Sequence, residues 1–238
     1  MFNPCVVIPV YRHANVLDKF ISGITDLPVI IVNDGNNITE NNILKEITQR
    51  TGACLVSLNK NKGKGEAVLA GFEEAERMGY THALQIDADA QHDPSAVNRF
   101  IIKSDQNPDA LINSYPVYDN SAVSARRWGR KITNFWVVLE TLSFDIKDAM
   151  CGFRLYPLAQ VKGIMKTIFS KRMGFDIEIV VKIHRAGIKI INLPVNVIYP
   201  EGGYSNYRML TDNIKISLLH SYLLLTMPVA LMRKNYEN

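Results

Sequence analysis

The sequence predicts an α/β fold with a mostly parallel central sheet flanked by helices. Short apolar, β-branched runs alternate with amphipathic helical stretches through the first half of the chain. Such alternation is what buries a parallel sheet between layers of helices. At 238 residues and 47% hydrophobic content, the chain can fill one sizeable core.

Taken in order, CVVIPV from Cys5 forms the first strand and VLDKFISGI the first helix. PVIIVND then leads into ITENNILKEITQR, and ACLVSL into GEAVLAGFEEAERMG. ALQID is followed by SAVNRFIIKS, and DALINSYPV is a fifth strand. Asp93 before Pro94 reads as an N-cap with proline in the first helical turn. The acidic stretch QIDADAQHDP therefore lies in a loop at the carboxyl end of a strand, where open α/β sheets bind ligands.

Regularity is lost after Tyr118. A helix from Ala122 to Leu142 is expected, then an extended DAMCGFRLYP, two further helices and a strand KIINLPVNVIYP. The last helix, Ile214 to Met232, is apolar but carries Lys215, His220, two serines and Pro228, which makes it a poor transmembrane span. Ser217, His220 and Ser221 share one face, and Arg208, Lys215, Arg233 and Lys234 flank the helix. That pattern fits an interfacial membrane helix, or else a core or dimer helix. The expected division is a catalytic body over 1–207 and a C-terminal amphipathic helix over 208–238. No repeat or linker marks a second independent domain.

The net charge is +4, and basic residues are scattered except in RRWGRK, Arg126 to Lys131. This argues against nucleic acid and for a local anionic ligand. The three cysteines are far apart and lack a CxxC pair, so they read as reduced core thiols. With no basic leader in MFNPCVVIPV, the expectation is a cytoplasmic protein, peripheral at the inner face of the membrane, in which the sequon at Asn37 is silent.

Asp87 and Asp89 form a D-x-D, and residues two apart in an extended chain project to the same face. With Gln91, two carboxylates and an amide oxygen suit Mg²⁺ or Mn²⁺ and leave positions for phosphate oxygens. Asp34 sits in VNDGN, a strand ending in a turn. Lys62, Gly63, Lys64 and Gly65 open a helix, and their N–H groups and two ammonium groups favour a phosphate. The same glycines, with Asp87 about twenty residues on, imitate a dinucleotide fingerprint and so an NAD(P)-dependent oxidoreductase. That fingerprint lacks its third glycine here and follows the third strand instead of the first.

Five pieces occur in order: VVIPVYR, VIIVNDGN, NKGKGEAVLAGF, QIDADAQHDP and DAMCGFRLY. Together they resemble family-two glycosyltransferases of the GT-A (nucleotide-diphospho-sugar transferase) fold, and are similar to the dolichol- and polyprenol-phosphate sugar synthases. The resemblance implies inverting transfer from a UDP- or GDP-sugar to a lipid-linked acceptor. It implies that Asp34 and the backbone of Pro9, Val10 and Tyr11 hold the base and ribose. Asp87, Ala88 and Asp89 would carry the ribose and the metal-bound diphosphate, with Gln91 in the metal sphere.

A hydroxyl acceptor needs a base, and Asp176 and Glu178 in GFDIE are the candidates, although Asp176 also reads as a helix N-cap. A lipid phosphate needs none, because its second pKa is about 6. Arg126, Arg127, Arg130, Lys131 and Arg154 are then natural phosphate clamps. Alternatively RRWGRK starts a solvated helix whose Trp128, Ile132, Phe135 and Leu139 face the core. The polyprenol branch carries R-x-x-G-x-S-K where this chain has PEGGYSNYR, with Pro200 for the arginine and Asn206 for the lysine. Phosphate and hydroxyl acceptors both stay open. A nucleotidyltransferase of similar fold, releasing pyrophosphate, and a catalytically idle binding module are the other readings.

Overall fold

The computed structural model describes residues 1–24, 27–89, 91, 93–118, 124–197 and 208–236. Its strands are β1 (Pro4–Val10), β2 (Val29–Asp34), β3 (Cys54–Leu58), β4 (His82–Ile86), β5 (Leu111–Tyr118), β6 (Phe153–Pro157) and β7 (Ile190–Val197). Its helices are α1 (Ala14–Ser22), α2 (Ile38–Thr51), α3 (Lys64–Arg77), α4 (Ala96–Asp105), α5 (Ser124–Thr141), α6 (Leu158–Met165), α7 (Phe175–Arg185) and α8 (Met209–Tyr236).

The sheet runs β3-β2-β1-β4-β6-β5-β7. All neighbours are parallel except that β6 lies antiparallel to both β4 and β5. Strand order reverses between β1 and β4, so the crevice at their carboxyl ends is the switch point where such sheets take ligands. Alternate residues sort to two cores as the strand period of two requires. Val7, Val32 and Tyr156 pack with α3, α5, α6, α7 and α8, while Ile8, Ile31 and Phe153 pack with α1, α2 and α4.

Several boundaries differ from expectation. Ser95 holds the N-cap position of α4 without a side-chain cap bond, and Asp93 accepts the Ser95 N–H (2.9 Å) in the turn before it. α8 begins five residues early because the buried Asp212 accepts the Arg208 N–H (2.7 Å), satisfying a donor at the helix start. Asn37 caps α2 through the Glu40 N–H. The expected helix start at Ala122 and the segment Pro200 to Tyr207 of PEGGYSNYR lie outside the described residues.

Two helix faces also differ. Trp128, Ile132 and Phe135 of α5 are exposed, and Thr133, Val137 and Glu140 face inward instead. His220 does not sit on a solvated polar face: it is buried, with Nδ1 2.6 Å from Glu140 Oε1 and its ring stacked on Trp136. Arg185 of α7 donates to the carbonyls of Glu140 (3.0 Å) and Leu223 (2.6 Å). These contacts hold α8 against α5 and α7, which decides which face of α5 is covered. Ile216, Leu219 and Leu223 complete the seal. Among the described residues, no helix is long and apolar enough to cross a membrane. The cysteines are free, and burial pushes Cys5 up to about 12 and Cys151 up to about 11, which makes them poor nucleophiles.

Candidate functional site at the tip of strand β4

Gln85 and Asp87 lie two apart at the end of β4, on the sheet face that α3 and α7 cover. The antiparallel β6 places Arg154 opposite Gln85 and Tyr156 opposite Ala83. The first turns of α3 and α7 then bring Lys64 and Asp176 over this patch. Lys64 Nζ donates to Asp87 Oδ2 and to Asp176 Oδ2, each at 2.7 Å. Gln85 Nε2 donates to Asp176 Oδ1 (3.0 Å), and Tyr156 OH holds Gln85 by donating to its Oε1 (3.1 Å). Arg154, fully buried, donates to the Asp176 backbone carbonyl (2.6 Å) and stands 4.0 Å from its carboxylate.

The charges do not share this site equally. Burial alone would raise Asp176, but the charges of Lys64 and Arg154 and the bonds from Lys64 and Gln85 outweigh it and hold the carboxyl below its ordinary value. Burial dominates at Asp87 and, with Asp176 beside it, lifts that carboxyl above the usual range despite Lys64. Burial also opposes the Lys64 charge, yet its two carboxylate partners raise it overall. The N-termini of α3 and α7 add positive potential to the same spot.

Asp87 Oδ1 is buried without a hydrogen-bond partner, a costly state for a carboxylate oxygen. A hard divalent cation matches it. Asp89 is half-buried, and its Oδ1 accepts the Gln91 N–H (3.1 Å), a turn that keeps Gln91 beside it. Ala88 points the other way, into the core. Gly152 lies so close that a Cβ there would collide with the Asp87 carboxylate. The glycine of CGFR thus leaves Asp87 its place. Among the described residues no three His, Cys, Asp or Glu side chains converge as a metal site. A cation here would rest on Asp87, Asp89, the Gln91 amide and ligand oxygens; Ala90 and His92 lie outside the described residues.

The other predicted residues divide sharply. Asp34 is buried and accepts from Lys62 N (2.7 Å), Gly63 N (2.9 Å) and Asn61 Nδ2 (2.9 Å), which pins the loop between β3 and α3 to the end of β2. The Gly65 N–H goes to the Lys171 carbonyl (3.0 Å), and a Cβ at Gly65 would meet the Phe175 side chain at 2.7 Å. The N–H groups of Lys62, Gly63 and Gly65, expected to help cradle a phosphate, are thus used within the protein, and the Gly65 gap serves packing against α7. The dinucleotide reading fails for the same reason, and because α3 follows β3, an edge strand, instead of the strand at the switch point. Pro9, Val10 and Tyr11 do reach that switch point. Arg12, at φ 62, turns the chain there, with its N–H on Asn36 Oδ1 (2.7 Å) and Asn36 Nδ2 on the Val10 carbonyl (2.9 Å).

Glu178 is not in the cluster. Fully buried, it accepts from Phe169 N (3.2 Å), Ser170 N (2.7 Å) and Lys182 Nζ (2.6 Å), fastening the 169–174 loop to α7. Asp176 is not the N-cap of α7, a place held by Gly174. Arg154 is too deeply buried to clamp a ligand phosphate. Arg130 pairs with Asp148 (2.8 Å), Arg127 lies over the Tyr118 ring and Lys131 over Trp128, while the Arg126 side chain lies outside the described residues. Asp148 also accepts from Met150 N and Cys151 N, shaping the turn that presents Gly152.

Sequence reasoning missed Gln85, Tyr156 and Asp148. A glutamine inside a fully buried strand, two residues before Asp87, was the available signal. It also missed a cleft of about 590 Å³ between the 169–174 loop and α8. Lys62, Lys171, Arg172 and Lys215 contribute cations to it, and Leu218 and Tyr222 an apolar wall.

The glycosyl transferase family 2 profile matches residues 5–160. A dolichyl-phosphate beta-glucosyltransferase of Dictyostelium discoideum is 26% identical over 215 residues, covering 80% of this chain and 65% of that protein. An undecaprenyl-phosphate 4-deoxy-4-formamido-L-arabinose transferase of Pseudomonas paraeruginosa is 28% identical over 171 residues, 67% of this chain and 48% of that protein. The chain thus spans about half to two thirds of the length of these curated relatives. Among solved structures, Mycobacterium tuberculosis glucosyl-3-phosphoglycerate synthase in complex with Mn²⁺ and UDP-glucose superposes with a TM-score of 0.67 at 16% identity, over 95% of this chain and 79% of that one. S. aureus TarS with UDP-GlcNAc gives 0.60 at 13% identity, over 94% of this chain and 67% of that one. These two likenesses concern the fold.

Proposed function

Since the chain belongs to glycosyl transferase family 2, we propose that it transfers a sugar, with inversion, from a UDP- or GDP-sugar to a lipid phosphate of the polyprenyl type. The observation that carries the choice of acceptor is the state of Asp176. Both its oxygens are engaged by Lys64 and Gln85, and its carboxyl is held below the ordinary range. That makes it a weak base for a hydroxyl. A phosphate monoester arrives already anionic near neutral pH and needs no proton removed.

In this reading the nucleotide lies across the β1/β4 switch point, with its base and ribose near Pro9, Val10, Tyr11 and Asp34. Mg²⁺ or Mn²⁺ held by Asp87, Asp89 and Gln91 would supply positive charge to the departing diphosphate. Lys64, fixed between Asp87 and Asp176, adds a cation preorganised at the same place. The cleft beside α8 suits the acceptor: Lys62 and Arg172 for the phosphate, Leu218 and Tyr222 for the start of its chain. The relatives that transfer sugars to dolichyl phosphate and undecaprenyl phosphate support that class. The body over 1–207 is catalytic in this reading, and the C-terminal helix α8 brings it, peripherally, to the cytoplasmic face of a membrane.

The test is a transfer assay with Mn²⁺ and a panel of UDP- and GDP-sugars, offering polyprenyl phosphate and the corresponding polyprenol side by side. Product is expected on the phosphate and not on the alcohol. Equal or faster transfer to the alcohol would overturn the assignment.

A further inference from the structure

We propose that α5 and α8 together form one membrane-docking surface, in which the exposed tryptophan face of α5 enters the headgroup region of an anionic bilayer alongside the C-terminal helix. The feature that demands explanation is on α5, far in sequence from the helix first suspected. Trp128, Ile132 and Phe135 are 66%, 56% and 59% exposed, and Trp136 stands at the border with α8. Their spacing makes one stripe along the helix. Four large apolar side chains left in water on one helix face exceed the scattered exposure expected of a surface.

α8 carries a matching ridge: Leu210, Ile214, Leu218 and Leu225, one or two turns apart and each more than half exposed. The two helices are locked side by side by the His220–Glu140 contact, the Trp136–His220 stack and the bonds from Arg185. The surface is therefore built into the fold and needs no rearrangement to form. The ridge residue Leu218 also lines the cleft, which thus opens beside it.

Charge identifies the occupant. α5 and α8 contain one acid each, Glu140 and Asp212, and both are buried. Among the described side chains, Arg127 and Lys131 on α5 and Lys215 on α8 are exposed cations, while Arg130 is paired with the buried Asp148; Arg126, Arg233 and Lys234 add to the positive charge of the two sequences. Exposed apolar side chains beside cations, with no exposed acid on either helix among the described residues, complement an anionic lipid surface. Tryptophan is also the side chain best suited to the headgroup layer, because its ring is apolar and its N–H is polar. A second copy of this chain would bring the same positive charge and meet repulsion.

Both tryptophans of the chain, Trp128 and Trp136, lie on α5, so intrinsic fluorescence of the full protein reports on this helix alone. The experiment titrates the protein with vesicles of phosphatidylcholine, with and without phosphatidylglycerol, and follows emission wavelength, acrylamide quenching and co-flotation. The anionic vesicles should bind the protein, shift its emission to the blue and protect it from quenching, and high salt should reverse all three. Replacing Ile132 and Phe135 by serine, which keeps both tryptophans, should weaken binding about tenfold or more through the apolar area lost. Leu218→Ser should weaken it as well. Co-flotation with an unchanged spectrum would mean that α8 binds alone, and would overturn the proposal. So would a blue shift that appears on concentrating the protein without vesicles, with a doubling of mass, or an absence of binding to anionic vesicles.

Discussion

Lys64 is the residue on which the site's electrostatics turn, because it bonds both carboxylates of the cluster. Replacing it by methionine leaves Asp87 and Asp176 facing each other, and should cost about 3 kcal/mol, as for other buried pairs broken on one side. The sign of its pH dependence follows from Asp176. A carboxyl held below its unfolded value stabilises the fold above an unfolded pKa of about 3.9, and loses that contribution as pH falls through the folded value. The gap between wild type and Lys64→Met, measured by urea unfolding, should be widest at neutral pH and narrow below about pH 4. Lys64, whose own value is raised, contributes fully below about pH 10.4 and only above that is its contribution lost. A gap that stays constant from pH 7 to pH 3 would count against the triad. Asp87 has the opposite sign: its carboxyl is raised, so its charge opposes folding at neutral pH. Asp87→Asn should melt no lower than wild type without ligand, yet lose the rise in Tm that Mn²⁺ and nucleotide sugar give the wild type by mass action. A lower Tm with the ligand response kept would contradict the assignment.

At the scale of elements, the strand ends were legible and the helix starts less so. β1, β2 and β4 announce themselves as apolar runs closed by polar residues, and their carboxyl ends hold the residues the motifs singled out. Asp176 and Glu178 look equivalent in GFDIE, two residues apart at the start of a helix. On a helix, unlike a strand, that spacing turns them to different sides. One reaches the β4 tip and the other the 169–174 loop, so only the packing of α7 could separate them. Glu178→Gln should accordingly lower stability by about 1–3 kcal/mol through weakened bonds to Phe169, Ser170 and Lys182. It should leave the acid limb of the activity unmoved; a shifted limb would return Glu178 to the chemistry. The inward and outward faces of α5 were illegible for a similar reason. Its apolar residues run almost all round, and the choice of buried face was made by α8, which arrives about seventy residues later.

At the scale of the molecule, alternation of strands and helices through residue 118 was enough to foresee a mostly parallel sheet. It was not enough to foresee β6 running the other way between β4 and β5, because pattern carries no strand order. Yet that reversal sets Arg154 and Tyr156 beside Gln85, and through them holds Asp176. A fold that locks its best-placed carboxylate between a lysine and a glutamine is suited to an acceptor that brings its own negative charge.

The pH dependence of kcat/KM on polyprenyl phosphate, compared between wild type and Asp176→Asn, tests this most directly. Both should show the same acid limb near about pH 6, where the acceptor phosphate takes up its proton, whatever the change in rate. A limb present in the wild type and missing from Asp176→Asn would show that Asp176 accepts the proton, and would contradict the account.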